Sequence, residues 1–71
     1  MAKTRLGNRL KVARAEADMT QEQLARRVGV TRQTIGAIEA GAHGPSALLA
    51  FQLARRLAWR VDELFFLEAD G

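Results

Sequence analysis

Two helix-start signals, each followed by a glycine, lie close together in the middle of the chain and constrain its fold more than any other feature. Thr20 opens the segment TQEQ, in which the Thr20 hydroxyl can accept the amide proton of Gln23 and the Gln23 side chain can return a hydrogen bond. This signal predicts a helix that runs to Val28 and stops at Gly29, a residue able to adopt the left-handed conformation found after helix ends. The pattern therefore predicts short helices separated by tight turns.

The second signal begins directly after this glycine. Thr31 caps a helix that we expect to end at Gly41. The small side chain of Ala25 would let this helix approach the preceding one. Apolar residues also occur at the spacing needed for a wedge between two steeply crossed helices: Leu24, Val28, Val30, Ile35 and Ile38. Two short helices joined by a three-residue turn that contains glycine form a helix-turn-helix motif.

Three more helices are predicted on either side of this motif. Asn8 can cap the first of them, although Thr4 is a competing cap, and Ser46 caps the helix after the loop. The three predicted helices cover Arg9–Ala17, Ala47–Leu57 and Val61–Phe65. Because every connection is only a few residues long, neighbouring helices must pack against each other. We therefore expect residues 1–71 to form a single domain.

Composition excludes several classes of protein. The chain has 71 residues, no cysteine and one histidine, so it can form neither a disulfide nor a zinc site of its own. No apolar run approaches the roughly 18 residues of a membrane span, and the N-terminus lacks the apolar segment of a signal peptide. We expect a cytoplasmic protein that uses no metal or other cofactor.

The distribution of charge indicates the kind of partner. All eleven lysines and arginines lie within residues 3–60, where they are accompanied by only four acidic residues, whereas the last eleven residues carry four acids and no base. Nine of the eleven cations are arginines, whose planar guanidinium suits phosphates and guanine edges. A basic body with an acidic tail suggests a polyanionic partner. The alternative interpretation of the charge alone is a solvated helical surface.

At the level of motifs the sequence resembles a known family. The segment TQEQLARRVGVTRQTIGAIEAG, followed by PSALLAFQLARRL and VDELF, is similar to the Cro/phage-repressor class of bacterial regulators, also called the xenobiotic-response-element class, and most of all to small stand-alone repressors such as the cytolysin repressor. The resemblance implies an all-α, five-helix, lambda-repressor-like domain that binds operator DNA, usually as a homodimer. In that scheme the helix-turn-helix covers about residues 21–40 and a dimerisation tail covers about residues 61–71.

The resemblance assigns DNA-contacting roles to the third helix, which would enter the major groove with its N-terminal residues facing base edges. Arg32 could form two hydrogen bonds with guanine, and Gln33 could do the same with adenine. Ala37 offers a methyl group that could pack near a thymine methyl. On the alternative interpretation, Arg32 and Gln33 are only good surface helix formers.

Phosphate contacts are expected from residues around this helix. Thr31 and Thr34 carry hydroxyl donors, although Thr31 serves as a helix cap whether or not DNA binds. Gln21 begins the second helix, where free amides favour a phosphate. Relatives often carry Asn and Lys or Arg just after the reading helix, but here Ala40 and Ala42 replace them. His43 is then the only titratable group in that loop.

Glu39 lies on the reading helix, where a carboxylate facing the DNA would repel phosphates. The resemblance implies instead that Glu39 forms a structural ion pair with Arg14 of the first helix. Such a pair would leave the negative charge compensated and would hold the reading helix against the rest of the domain.

Exposed apolar residues predict a homodimer. Leu48 and Phe51 share an outward face of the fourth helix, and Phe66 and Leu67 have no obvious partner inside a five-helix domain. We expect these four residues to form a symmetric interface. The resemblance also implies a short two-stranded β-ribbon between Lys3–Leu6 and Phe66–Ala69.

The leading hypothesis is therefore a double-stranded DNA-binding transcription regulator, acting as a repressor on an inverted-repeat operator. The alternative is a protein-interaction module on the same scaffold, such as an antitoxin or coactivator. Catalysis is not expected, because the sequence contains no cysteine, no glycine-rich phosphate loop and no cluster of acids. No small-molecule effector is evident.

Overall fold

Five helices and a two-stranded antiparallel ribbon follow one another in a computed structural model of the chain, which describes residues 3–70, with side chains from 4 to 69. In chain order, the elements are β1 (Lys3–Asn8), α1 (Leu10–Glu16), α2 (Gln21–Val28), α3 (Arg32–Glu39), α4 (Ala47–Leu57), α5 (Val61–Leu64) and β2 (Phe65–Asp70). The ribbon joins the two ends of the chain, because β1 pairs with β2 from Lys3 opposite Asp70 to Asn8 opposite Phe65.

Most of the predicted boundaries agree with the structure, and the differences lie at the two ends of the chain. The bounds of α2 and α4 are as predicted, whereas α1 is shorter than expected. The prediction that Phe65 belongs to the last helix was wrong, because Phe65 begins β2. The ribbon is present and longer than expected, with six residues in each strand. An all-α description is therefore incomplete.

Side-chain caps set the start of the central helices, as the sequence predicted. The capping box of α2 is complete, since Gln23 N donates to Thr20 Oγ1 at 3.0 Å and Thr20 N donates to Gln23 Oε1 at 2.9 Å. Thr31 and Ser46 accept backbone amide protons at the starts of α3 and α4. Asn8 acts differently from a simple cap, because Oδ1 accepts from Leu10 N while Nδ2 donates to the Ile38 carbonyl.

A residue in the left-handed conformation follows each of the first four helices, where it reverses the chain. These residues are Asp18, Gly29, Gly41 and Ala58. Beyond each of them a backbone amide donates to a carbonyl in the last turn of the helix; the four bonds join Met19 to Arg14, Val30 to Ala25, Ala42 to Ala37 and Trp59 to Ala54. The same local geometry therefore produces all four short connections. Ala58 (φ 59°) adopts it without the freedom of glycine.

One hydrophobic core holds the five helices together. Its six largest fully buried side chains come from all five helices: Leu10, Leu24, Ile35, Ile38, Leu53 and Leu64. The wedge predicted between α2 and α3 is present, with Val28 and Val30 packed on the edge of this cluster. Trp59 also packs against the core. Its ring is therefore part of the structural packing and not an exposed surface on which another ring could stack.

Gly7 and Phe66 lie opposite each other in the ribbon and are in unusually close contact. A Cβ atom on Gly7 would collide with the Phe66 ring and would lie 2.5 Å from Glu68 Oε1, so only glycine fits. The Arg9 guanidinium lies 5.3 Å from the centroid of the same ring. The expectation that Phe66 has no partner within the chain was therefore wrong, and its side chain is half-buried.

Ala58 provides a test of the helix-end geometry. The left-handed conformation costs an alanine about 1–2 kcal/mol but costs glycine almost nothing, so we expect Ala58→Gly to raise the free energy of unfolding by about 0.5–1 kcal/mol after the loss of backbone entropy. Chemical denaturation measures this change. The reverse substitution, Gly29→Ala, is a matched control, because no atom lies within 4 Å of the added methyl group. It should destabilise by about 1 kcal/mol, and a neutral result for both variants would contradict the account.

Candidate nucleic-acid interface

The reading helix α3 presents polar side chains at its N-terminus and buries its apolar ones. Ile35 and Ile38 are fully buried and attach α3 to the core, whereas Arg32 and Gln33 are exposed and Ala37 is half-buried. Gln33 and Ala37 are four residues apart, so they lie one above the other on one face. The three residues predicted to read bases are therefore on the outside of the domain. Their contact with bases stays a prediction.

The N-terminus of α2 lies beside this helix. Arg32 and Gln21 line one open groove together with Thr20, at the point where the first turn of α2 leaves the backbone amides of Gln21 and Glu22 without partners in the helix. The structure thus brings together one residue predicted for base contact and one predicted for phosphate contact. Free amides and the positive end of the helix dipole both suit an anion there, whereas the carboxylates of Asp18 and Glu22, which line the same groove, oppose one.

A buried ion pair joins α1 to α3. Arg14 Nε donates to Glu39 Oε2 at 2.7 Å, and Arg14 Nη2 donates to Glu39 Oε1 at 3.3 Å. The two side chains are only 16% and 6% exposed. Arg14 Nη1 also donates to the Met19 carbonyl at 2.8 Å, which holds the turn before α2. The pair that the resemblance implied is therefore present, and Glu39 points into the domain.

Gln21 completes this network in a way that the sequence did not reveal. Its Nε2 donates to Glu39 Oε1 at 3.0 Å, so the side chain is directed towards α3. The half-buried amide group is thus already engaged, and the backbone amides of the first turn remain as the stronger candidates for a phosphate. Arg14, Gln21 and Glu39 together fix the relative positions of the first three helices.

The remaining residues predicted for phosphate contact differ in their surroundings. Thr31 accepts from Thr34 N, and the two hydroxyl oxygens are 3.1 Å apart, so this pair is first of all a cap. His43 is exposed in the loop after α3, where it shares a small cavity with Arg5 and Leu6 of β1. It is thus separate from the groove formed by Arg32 and Gln21.

Gly36 lies in the middle of α3, at a position where no contact within the domain requires a glycine. An added Cβ would lie 3.7 Å from Gln21 Nε2, which is an ordinary contact. Its φ angle is not positive, so backbone conformation does not require glycine either. An alanine would therefore fit between α2 and α3.

Three of the four residues predicted for a dimer interface are largely exposed to solvent. Leu48, Phe51 and Leu67 are 69%, 61% and 77% exposed. The half-buried Phe66 differs from them, since its ring lies over Gly7. Leu67 lies on the opposite face of the ribbon, paired with Leu6.

No candidate metal site occurs among the residues that the structure describes, because no three histidine, aspartate or glutamate side chains converge there. Over the same residues, none of the helices has the length and apolar character needed to cross a membrane.

Comparison with known proteins identifies the family of this chain. A family model described as helix-turn-helix matches residues 10–64. The chain is 51% identical over 59 residues to an uncharacterised HTH-type transcriptional regulator of Methanothermobacter thermautotrophicus, covering 82% of this chain and 86% of the relative. It is 41% identical over 64 residues to the HTH-type regulator YgzD of Bacillus subtilis, covering 90% and 97%. The chain belongs to the helix-turn-helix family of Cro/phage-repressor type.

Solved structures agree with this assignment. The restriction-modification controller protein C.AhdI from Aeromonas hydrophila superposes with a TM-score of 0.70 at 30% identity, over 75% of this chain and 77% of the other. A transcription factor NHTF from Neisseria also gives a TM-score of 0.70, over 76% and 62% of the two chains, but at 22% identity it supports the fold alone. The protein is thus a helix-turn-helix regulator, a class for which DNA binding is expected.

The sequence reasoning missed the polar contacts made by β1. Arg5 Nε donates to Glu68 Oε2 at 3.2 Å across the ribbon, and Asn8 Nδ2 donates to the carbonyl of Ile38 at 2.9 Å. One signal for this contact was available in the sequence: Arg5 and Glu68 carry opposite charges and lie in two segments that were expected to pair. Their register could not be set from the sequence alone.

The ion pair between Arg14 and Glu39 should be essential for the fold. Removing one partner leaves a buried charge without compensation, so we expect Arg14→Ala to lower the free energy of unfolding by about 3–5 kcal/mol. Arg26→Ala is the control, because the Arg26–Glu22 pair is exposed on both sides and should contribute less than about 1 kcal/mol. Urea denaturation compares the two variants. Equal effects would show that burial of the first pair has no energetic importance.

Proposed function

We propose that this protein is a sequence-specific double-stranded DNA-binding regulator that represses transcription by binding, as a homodimer, to an inverted-repeat operator. The observation that carries this proposal is the exposure of Arg32 and Gln33 at the N-terminus of α3, while Ile35 and Ile38 of the same helix are buried in the core. Family membership supports DNA as the ligand, and the side chains at this position support reading of base edges.

Specific reading needs side chains that are held in place. The buried network of Arg14, Gln21 and Glu39 fixes α3 against α1 and α2, so the direction in which Arg32 and Gln33 project is largely predetermined. Arginine forms two hydrogen bonds with guanine in the major groove, and glutamine does the same with adenine. The proposed readout is therefore a guanine and an adenine in each half-site, with Ala37 against a thymine methyl.

Much of the affinity would come from contacts with phosphates, which carry no sequence information. The first-turn amides of α2 near Gln21 and the hydroxyl groups of Thr31 and Thr34 are positioned beside the reading helix. His43 is the remaining candidate in the loop after α3. Because few of these groups carry a charge, binding should depend less steeply on salt than in regulators that use many lysines and arginines.

The exposed apolar residues support the proposed homodimer. Leu48 and Phe51 are three residues apart on the solvent face of α4, and Leu67 on the ribbon is the most exposed large apolar residue described. Contact with water is unfavourable for such groups, and burial of each would contribute about 1.5–3 kcal/mol. A second copy related by a twofold axis would cover the same residues on both subunits and present two reading helices.

Selection of bound sequences from a random duplex pool tests the proposed function. We expect enrichment of an inverted repeat with half-sites about one helical turn apart. Gln33→Ala should weaken binding to the selected operator by about 1–3 kcal/mol and relax the preference at one base pair of each half-site, because a single bidentate contact is lost.

Lys11→Ala is the control for this substitution, since it removes an exposed polar side chain from α1 without touching α3. It should leave the base preference unchanged. Enrichment of no sequence by the wild-type protein would contradict DNA reading and favour the alternative, a protein-interaction module such as an antitoxin or coactivator.

Leu48→Glu tests the dimer. We expect the variant to sediment as a monomer at concentrations at which the wild type is a dimer, because a carboxylate would be buried without a partner in the interface. Val12→Glu is the matched control: Val12 is 51% exposed on α1, outside the proposed interface. A monomeric wild-type protein at micromolar concentration would contradict the dimer.

A further inference from the structure

Strand β1 lies directly against the C-terminal end of the reading helix. Asn8 Nδ2 donates to the carbonyl of Ile38 at 2.9 Å, and Leu6 Cδ2 would lie 3.8 Å from a Cβ placed on Gly44. A small cavity is lined by Arg5 and Leu6 together with the loop residues 41–45, and a second cavity is lined by Arg5 together with residues 39–41. Arg5 therefore borders the end of α3 on two sides.

The loop that follows α3 has few groups for binding an anion. Residues 40–46 read AGAHGPS and contain no lysine or arginine. Glu39, immediately before them, is buried and compensated by Arg14, so it contributes little net charge to the surface. Among the side chains from 4 to 69, Arg5 is the lysine or arginine in the walls of both cavities, and the second cavity is also lined by the carboxylates of Glu39 and Glu68.

Arg5 is held in an orientation that leaves most of its guanidinium available. Its Nε donates to Glu68 Oε2 at 3.2 Å across the ribbon, and the side chain remains 68% exposed. Its two terminal nitrogens donate to no acceptor among the side chains from 4 to 69 and the backbone from 3 to 70. A guanidinium fixed through Nε with its terminal nitrogens free is suited to two parallel hydrogen bonds with phosphate oxygens.

The size of the reading helix brings both of its ends near phosphates. The eight residues of α3 span about 12 Å, and the major groove of B-form DNA is also about 12 Å wide. A helix of this length does not extend far beyond the groove, so groups beside either of its ends are within reach of a sugar–phosphate backbone. The first turn of α2 lies beside α3, where Gln21 reaches Glu39, and Arg5 borders the loop that follows α3.

We propose that Arg5, delivered by the β-ribbon rather than by the helix-turn-helix, binds a DNA phosphate beside the C-terminal end of the reading helix, and that Glu68 positions it. The proposal rests on the proposed DNA-binding function and adds a contact to it. The ribbon would then have a direct role in binding the operator, because strand β1 supplies the cation that the loop after α3 lacks.

A purely structural ion pair would behave differently from a phosphate contact. If Arg5 and Glu68 only stabilise the ribbon, substituting either residue has the same consequence, because the same pair is broken. If Arg5 binds a phosphate, the two substitutions have opposite electrostatic effects on DNA: one removes a cation from beside the phosphate, whereas the other removes an anion.

Arg5→Gln and Glu68→Gln are therefore matched variants for the test. Binding of each to random-sequence duplex DNA is measured over a range of salt concentrations, because a phosphate contact is independent of sequence. Thermal unfolding monitored by circular dichroism checks that both variants lose a similar, small amount of stability. The wild-type protein, measured in parallel on the selected operator and on random duplex, provides the reference.

We expect Arg5→Gln to weaken binding to both duplexes by a similar factor and to reduce the slope of log affinity against log salt by about one for each subunit. Glu68→Gln should bind at least as tightly as the wild type, because the glutamine oxygen can still accept from Arg5 Nε and position it while the negative charge is removed. Equal weakening by both variants, or unchanged binding by Arg5→Gln, would overturn the proposal while leaving the proposed function intact. Failure of the wild-type protein to bind either duplex would overturn both.

Discussion

The buried contact between Arg14 and Glu39 is the interaction on which the geometry of this protein depends. It removes a carboxylate from the surface that would face DNA and uses it to connect α1 with α3. The same arginine holds the turn before α2 through the Met19 carbonyl, and the same glutamate receives the amide of Gln21. One pair of charges therefore sets the mutual positions of three helices, so the exposed N-terminus of α3 has a defined direction relative to the N-terminus of α2.

Hydrophobic packing alone would not fix the orientation of α3 in this way. Ile35 and Ile38 attach α3 to the core, but apolar contacts are not directional, and a short helix could rotate or slide on them. Hydrogen bonds of 2.7–3.3 Å between charged groups have much stricter geometry. The core thus supplies most of the stability, while the polar network supplies the orientation required for reading base edges.

The sequence predicted the central helices well because their boundaries are set locally. The capping box at Thr20, the caps at Thr31 and Ser46, and the glycine at position 29 act within one turn of the chain. The boundary at Phe65 was wrong because that residue suits a buried helix and a buried strand equally, and its pairing partner, Asn8, lies at the other end of the chain. Long-range pairing leaves no local signal.

At the candidate site, too, features set locally could be predicted and features set by long-range contacts could not. Exposure of Arg32 and Gln33 could be predicted from the motif, and the pairing of Glu39 was implied by resemblance to a known family. The bond from Gln21 to Glu39 could not be predicted, because a glutamine at a helix start can reach either a phosphate or a neighbouring carboxylate. The position of Arg5 depends on the register of the ribbon, which only the close fit between Gly7 and Phe66 makes definite.

The ribbon also determines when the domain can form. Its two strands are separated by all five helices, since Lys3 pairs with Asp70. The helices can assemble during synthesis, whereas the strand that carries Arg5 must wait until the second strand has been made. The ribbon is therefore the last part of this small domain to form.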